Sequence, residues 1–341
     1  MKKYDSLNGI RAYAAIAILA MHVLENSEYT NIANSFVAKV DLLKWLVYLF
    51  MIISGFSLCC GYYEKFLYQS ISIVEFYKRR YKKILPFFVL LVLMDCLTNF
   101  SLNSAIEGIA DITLAFALLP NASISVLGVG WFLGVVFLFY MLFPFYCFLM
   151  RNKKNAWLTF GVCVFYNLSE QLYFLDHSHV VEGYQRHTNF LFCSMFFCAG
   201  GLIYLYRNEF VVQVRKLRYV YLLLILLITI SSFYTWPQIS SLEEPFVCLL
   251  VFSLWVMYAI SVDSVVLNNK WVTFISEISL EIYLCHMFIY RILEKIQGLY
   301  IFGSGYLSYA SMVFLTLFGS IFVSVVFKKG IKKIESMVKQ L

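Results

Sequence analysis

Two ionisable side chains lie in the first apolar segment of the chain, NGIRAYAAIAILAMH, residues 8–22. Arg11 lies near its start and His22 at its end, with no charged residue between them. Over eleven residues an α-helix advances about 16 Å and completes about three turns, so both side chains share one face at different depths. That face would offer a fixed cation and a group that exchanges a proton near neutral pH. The alternative is that Arg11 extends to the membrane interface and His22 only hydrogen-bonds a neighbouring helix.

A second cluster is basic and directly precedes an apolar run. The stretch FYKRRYKKILPFF, residues 76–88, carries Lys78, Arg79, Arg80, Lys82 and Lys83. Such residues beside a membrane span usually anchor it on the cytoplasmic side or contact anionic lipid headgroups. The more specific hypothesis is a binding surface for a cytoplasmic ligand that carries phosphate groups.

Two further stretches place polar side chains inside apolar runs. In GVGWFLGVVFLFYMLFP, residues 128–144, Trp131 and Tyr140 are by default interfacial or packing aromatics. In ISEISLEIYLCHMFI, residues 275–289, Glu277 and Glu281 share a helix face, and so do Tyr283 and His286. Ionisable residues inside a span are candidates for function. Asp95 and Glu170 are further buried-acid candidates near the outer helix ends.

The sequence offers little sign of a metal site. His177, His179 and His187 lie in LDHSHVVEGYQRH, but their irregular spacing favours solvated loop histidines. All nine cysteines fall in apolar runs and none forms a C-x-x-C pair, so we expect small packing residues and no zinc site.

The composition predicts a polytopic membrane protein. Of the 341 residues 61% are hydrophobic and 14% are charged, whereas soluble domains have about 45–50% apolar and about 25% charged residues. With about 20 residues needed per spanning helix, ten spans are predicted, at 7–25, 42–61, 84–100, 131–149, 156–174, 190–206, 219–236, 246–262, 271–294 and 306–327. The run at 109–119 is too short and is predicted to be interfacial or re-entrant.

The distribution of basic residues predicts the orientation. With the N-terminus in the cytoplasm, 21 of the 27 Lys and Arg residues fall on the inner side and four on the outer side. We therefore predict an all-α bundle of about ten helices with both termini cytoplasmic, forming a single domain over residues 1–341. Since the net charge of +7 lies in these short loops, nucleic acid is not an expected partner.

In this order the motifs resemble those of the acyltransferase-3 family of integral membrane acyltransferases. The resemblance spans most of the chain. It rests on LNGIR at 7–11 with His22, SGF at 54–56, RYKKILP at 80–86, Trp131 and Leu133 with Phe139, Tyr140 and Pro144, FCAGGLIY at 197–204, and Tyr283, Leu284 and His286. There are two departures. Lys83 replaces the second arginine of the basic motif, and Val136 occupies a position where many members have glutamate.

The resemblance implies transfer of an acyl group, usually acetyl, from a cytoplasmic coenzyme A thioester to a glycan hydroxyl. The glycan would be a surface or secreted polysaccharide or its lipid-linked precursor, and the enzyme would lie in the inner membrane in contact with membrane lipid. The donor phosphates would bind Arg11, Arg79, Arg80, Lys82 and Lys83. No metal is implied, and the oligomeric state is left open.

The resemblance also implies roles in catalysis. His22 would be the general base of a direct transfer, with Arg11 and His286 completing the catalytic set. A covalent acyl-histidine relay is the alternative. His286 or Tyr283 would orient the acceptor or stabilise the developing oxyanion, and Trp131, Tyr140 and Glu281 are further residues assigned to the acceptor or the oxyanion. A transporter or flippase is the competing function for a membrane protein with buried ionisable groups.

Overall fold

The computed structural model describes residues 4–98, 100–118, 128–174, 185–296 and 300–338. Within these ranges the chain is built from α-helices, and the all-α class is confirmed. The helices are α1 Ser6–Glu25, α2 Asn34–Asp41, α3 Leu46–Leu58, α4 Glu64–Leu67, α5 Ile73–Thr98, α6 Leu102–Thr113, α7 Trp131–Leu149, α8 Lys153–Ser169, α9 Phe190–Leu205, α10 Arg207–Lys216, α11 Arg218–Thr235, α12 Glu244–Ser261, α13 Lys270–Glu277, α14 Ser279–Lys295 and α15 Tyr306–Val338.

The chain groups into two compact units. Unit 1 contains Met1–Leu7 and Val47–Ser264, and therefore most of α3 and all of α4 to α12. Unit 2 contains Asn8–Leu46 and Val265–Leu341, and therefore most of α1 together with α2 and α13 to α15. The single domain over residues 1–341 stays a prediction.

Six to eight helices in the described ranges are long and apolar enough to cross a membrane. Six are unbroken, and two more are bent pairs, α9 with α10 at 75° and α13 with α14 at 69°. The two remaining predicted spans, 84–100 and 156–174, lie on α5 and α8. The first half of α5 is strongly charged, and α8 has 17 residues before its path changes to a π-helical turn at Glu170–Phe174. The count of ten and the placement of the termini stay predictions.

Glycine lets two helices of unit 1 approach closely. A Cβ on Gly55 of α3 would lie 2.2 Å from the carbonyl oxygen of Phe197 on α9, and a Cβ on Gly200 would lie 2.1 Å from that of Ile52. Since real Cβ atoms do not come this close to a backbone, the glycines of the SGF and FCAGG motifs are packing residues. Ring stacking at 4.3 Å between Phe139 of α7 and Phe197 extends the same core.

Helix α6 carries a segment predicted to be interfacial. Leu102, Ile106 and Ile109 form an exposed apolar stripe, whereas Asp111 is completely buried on the other face. The helix ends at Leu114, whose φ of 59° is left-handed. Its 12 residues are too few to cross a bilayer, and the interfacial or re-entrant position of residues 109–119 stays a prediction.

Unit 2 is held together by a core between α1, α14 and α15. Leu19 and Val23 of α1 pack with Ile282 of α14 and Met312 of α15. Two tyrosine hydroxyls also link these helices. Tyr290 of α14 donates to the carbonyl of Asn26, directly after α1, at 2.5 Å. Tyr309 of α15 donates to the carbonyl of Ala20 in α1 at 3.1 Å.

Candidate functional site

Helix α1 carries Arg11 and His22 in one unbroken helix, as predicted. Its first turns lie against the segment before α13, where a Cβ on Gly9 would be 2.3 Å from the carbonyl oxygen of Leu267. The Tyr13 hydroxyl donates to the carbonyl of Val266 at 2.8 Å. The glycine of the LNGIR motif is therefore required by this close contact. Arg11 is half-buried, and the continuous helix keeps it about 16 Å along the axis from His22.

His22 forms a pair with a carboxylate of its own helix. Its Nδ1 lies 3.2 Å from Oε2 of Glu25, three residues further along. Because an ionised carboxylate only accepts hydrogen bonds, this contact places a proton on Nδ1. The lone pair of Nε2 is then available to accept a proton. The His22 side chain is 24% exposed, so the ring can be reached.

His286 of α14 is completely buried, and one ring nitrogen has a fixed role. Its Nδ1 lies 2.7 Å from the carbonyl oxygen of Tyr283, which can only accept. The neutral ring therefore carries its proton on Nδ1 and a lone pair on Nε2. Across the described residues Nε2 has no hydrogen-bond partner. Burying a polar atom without a partner is costly, and such atoms in native structures often mark functional sites.

The structure brings His22 and His286 together. Their ring centroids are 5.2 Å apart and the rings are inclined by 31°. The partners of both rings leave Nε2 as the acceptor atom, so the pair provides two bases within one small region of unit 2. A neutral His286 cannot donate from Nε2 to a developing oxyanion. This geometry favours the orientation of a hydroxyl over the oxyanion role also considered for His286.

The other predicted residues of α14 have different surroundings. Glu281 is nearly buried, and its Oε1 lies 3.2 Å from Nζ of Lys328 on α15. Lys328 also donates to the backbone carbonyl of Glu277, whose side chain is exposed. Tyr283 is buried with its ring 5.9 Å from that of His286. Glu281 therefore serves an α14–α15 ion pair, whereas Tyr283 is a neighbour of the histidine pair.

The basic cluster belongs to unit 1, where Arg80 is held among aromatic rings. Its guanidinium carbon lies 4.7 Å from the ring centroid of Tyr62 and 5.8 Å from that of Tyr140. Its Nη2 donates to the Tyr62 hydroxyl at 2.6 Å. The buried Nε has no hydrogen-bond partner in the described part of the chain. A partly buried guanidinium with an unused donor fits a phosphate oxygen.

The remaining cations of the cluster lie on the surface of α5. Arg79 is exposed and bonds Glu75 at 2.7 Å, one turn earlier. This bond holds the pKa of the Glu75 carboxyl below its ordinary value. Lys82 and Lys83 are also exposed. They can add positive charge to the surface, whereas Arg80 is held between aromatic rings.

Trp131 and Tyr140 lie on α7 in different environments. The Trp131 ring packs edge-on against that of His187 at 4.7 Å, whereas Tyr140 joins the Arg80 site. Val136 is 4% exposed and packs in the core, so the glutamate of other members would be buried at this position. Glu170 is buried, with Oε1 lacking a hydrogen-bond partner among the residues described.

Three site residues were not predicted from the sequence. Glu25 could have been found, because it follows His22 by three residues and so lies on the same helical face. Tyr62 and Lys328 are brought to Arg80 and Glu281 only by the fold. His177 and His179 of the considered metal motif lie outside the described residues. Within the ranges that are described, no group of three His, Cys, Asp or Glu residues could hold a metal ion.

Comparisons with known proteins agree with the motifs. A family model described as "Acyltransferase domain", that of acyltransferase family 3, matches residues 4–329. The chain is also similar to acyltransferase MdmB of Streptomyces mycarofaciens, at 27% identity over 176 residues. This match covers 47% of the chain and 44% of the relative, so the chain spans less than half of that protein's length. No solved structure matches significantly.

Proposed function

The chain belongs to the acyltransferase-3 family of multi-pass membrane acyltransferases, and on that basis we propose that it acetylates a glycan hydroxyl with acetyl-coenzyme A as donor. The acceptor is a surface or secreted polysaccharide or its lipid-linked precursor, and the protein works in the inner (cytoplasmic) membrane. The observation that carries the proposal is the pair His22 and His286, each with Nε2 as an acceptor atom.

In the proposed reaction His22 is the general base. Its Nε2 takes the proton of the acceptor hydroxyl while the hydroxyl oxygen bonds to the thioester carbonyl carbon. The carbon–sulfur bond then breaks, and the thiolate receives the proton from the imidazolium. Glu25 stabilises that imidazolium and keeps the proton on Nδ1 between turnovers. Such a base contributes about 10²- to 10⁴-fold to the rate.

His286 is the second base of the proposed site. Its Nε2 accepts a hydrogen bond from the acceptor hydroxyl and aligns the oxygen for attack. The buried position and the fixed Nδ1 bond hold this atom in one orientation. An acyl-histidine is the alternative route, since each ring keeps an unprotonated Nε2.

Arg80 supports the choice of a phosphate-bearing donor. Coenzyme A carries a diphosphate and a 3′-phosphate, and the Arg80 Nε is a buried donor without a partner among described residues. The tyrosine rings limit movement of the guanidinium, so less conformational entropy is lost on binding. Lys82 and Lys83 contribute charge to the same surface of α5.

The test uses purified protein in lipid vesicles with acetyl-coenzyme A labelled in the acetyl group. We expect His22→Ala to lose on the order of 10²-fold or more in acetyl transfer, while membrane insertion and thermal stability are retained. The exposed Glu28→Gln is the control and should keep full activity. Normal acetylation of the cell's glycan by His22→Ala would overturn the proposal.

A thermal-shift measurement separates this function from a transporter. Coenzyme A should raise the unfolding temperature of the wild-type protein, and Arg80→Ala should reduce the shift. Stabilisation by a transported solute together with no response to coenzyme A would favour a transporter.

A further inference from the structure

An apolar groove crosses the surface of unit 1 beside the bend between α9 and α10. It encloses about 170 Å³ between α8, α9, α10 and α12. Its lining includes Phe160 of α8, Leu202 and Ile203 of α9, and Leu249 and Met257 of α12. These side chains form an apolar surface, and the hydrogen-bonding groups of the lining belong to Ser253, Trp157 and Tyr206, so the groove suits a hydrocarbon chain.

The bend places one end of this groove at a membrane surface. Helix α9 has no charged residue, whereas α10 is charged and turns away by 75°. An apolar helix that crosses the bilayer followed by a charged helix at this angle puts the bend at the interface. Tyr206 lies at the bend, and its hydroxyl accepts a hydrogen bond from Trp157 at 3.0 Å. This pair is typical of the aromatic belt at a membrane interface.

Basic side chains surround the same end of the groove. Nζ of Lys153 lies 4.2 Å from the ring centroid of Tyr206, and Lys153 also pairs with Glu209 of α10. Lys154 is exposed in the first turn of α8. The amino end of this helix adds its own partial positive charge. Arg207 follows Tyr206 but adds no free charge to the groove, because its guanidinium lies 3.9 Å from the ring centroid of Tyr204 and its Nη2 lies 3.6 Å from Oε1 of Glu64.

We propose that this groove is a binding site for an anionic phospholipid, with one acyl chain between α8, α9 and α12 and the phosphate at Lys153 and Lys154. The apolar groove matches the acyl chain of such a lipid, and the basic side chains match its phosphate. The aromatic rim lies between them, at the level of the membrane interface. A neutral lipid would use the groove but not the charges. The site is independent of the acyl-transfer residues proposed above, none of which lines the groove.

The positive charge of the rim decides between anionic and neutral lipids. Glu209 neutralises part of the charge of Lys153. Asn152 caps the amino end of α8 by accepting from the backbone N–H of Asn155, whereas Lys154 is exposed and can meet an incoming phosphate. Each basic residue near a membrane surface contributes about fivefold to the binding of anionic lipid, from about 1 kcal/mol per residue. The basic residues are therefore expected to set the preference for an anionic headgroup. The apolar groove is expected to hold the acyl chain of either lipid.

Trp157 is a natural reporter, because it lines the groove and is 53% exposed. The full-length protein is reconstituted in vesicles with phosphatidylglycerol or phosphatidylcholine brominated on the acyl chains. Quenching of the Trp157 component is obtained by subtracting the signal of Trp157→Phe, since the chain has six tryptophans. We expect about fivefold tighter association of the brominated phosphatidylglycerol at this position.

Two kinds of variant test the two parts of the site. Lys153→Gln combined with Lys154→Gln should abolish the preference for phosphatidylglycerol, whereas Lys216→Gln at the far end of α10 should not change it. Ser253→Phe places a ring in the groove and should reduce quenching by both lipids. Equal quenching by the two lipids in the wild type would overturn the proposal. It would also be overturned if Ser253→Phe had normal thermal stability and left the quenching unchanged.

Discussion

The imidazole of His286 lies 5.2 Å from that of His22, although the two residues belong to the first and the penultimate helices of the chain. Both rings have Nδ1 engaged, one by the carboxylate of Glu25 and the other by the carbonyl of Tyr283. Nε2 is therefore the acceptor atom of both rings. Two neighbouring bases are suited to removing a proton from a hydroxyl and holding its oxygen.

His286→Phe tests the second base. The ring of phenylalanine fills a similar volume but removes both nitrogens, so we expect a folded protein whose kcat falls by about tenfold or more. His286→Gln keeps an acceptor atom and should recover part of the loss. The measurement is acetyl transfer in vesicles, with thermal unfolding as the check on folding. Full activity of His286→Phe would show that the buried ring only packs.

Glu25→Gln tests the orientation of His22. The amide keeps the size of the side chain but can donate to Nδ1, which favours the tautomer with its proton on Nε2. We expect kcat to fall by about tenfold or more, and by less than the 10⁴-fold of a fully buried carboxylate–histidine pair, because Glu25 is 57% exposed. Glu28→Gln is the matched control. An increase in KM with kcat unchanged would contradict this role.

Arg80 and Arg79 are adjacent in sequence but differ in their expected effect on donor binding. Arg80→Ala should weaken coenzyme A binding by about 10- to 100-fold, which corresponds to the loss of one charged hydrogen bond of about 1.5–3 kcal/mol. Arg79→Ala should cost about threefold or less, because its guanidinium is exposed and paired with Glu75. Titration calorimetry measures both. Equal losses would show that the cluster acts as diffuse charge.

Gly200→Ala tests the close contact of α3 and α9. The new Cβ would lie 2.1 Å from the carbonyl oxygen of Ile52, so the helices must separate, and we expect a loss of about 2 kcal/mol or more in the free energy of unfolding. Gly161→Ala in α8 is the control, since its Cβ meets no atom within 4 Å. It should be neutral or stabilising by up to about 1 kcal/mol. Thermal unfolding in detergent compares the two.

Asp111 makes the stability depend on pH. Burial, followed by the charges of Glu107 and Asp95, raises the pKa of its carboxyl to about 7, against about 3.9 in an unfolded chain. Between these values the folded protein holds a proton that the unfolded chain releases, so stability falls as the pH rises through this window.

Asp111→Asn should therefore be more stable than the wild type at pH 8, by up to about 4 kcal/mol, and similar to it near pH 4. Thermal unfolding at the two pH values measures the difference. Asp263→Asn is an exposed control that should not alter the profile. An equal pH dependence of wild type and Asp111→Asn would show that Asp111 is not the group responsible.

The sequence alone was sufficient for the membrane class, the all-α fold, the family and the common face of Arg11 and His22. Hydropathy and the helical repeat determine the membrane class, the fold class and the common face locally, since each needs only the order of residues within one segment. The family follows from the order of the motifs along the chain. The number of spans is harder to predict, because α5 and α8 combine charge or a π-helical turn with short apolar parts.

Only the tertiary structure decided which side chains meet. His286 was a candidate by type. The tautomer of its ring follows from a contact within α14, but its distance to His22 depends on the packing of α1, α14 and α15. Glu281 stays a predicted site residue, and its pairing with Lys328 could not be read from the sequence. Contacts between distant segments depend on how helices pack, and spacing along one helix carries no information about them.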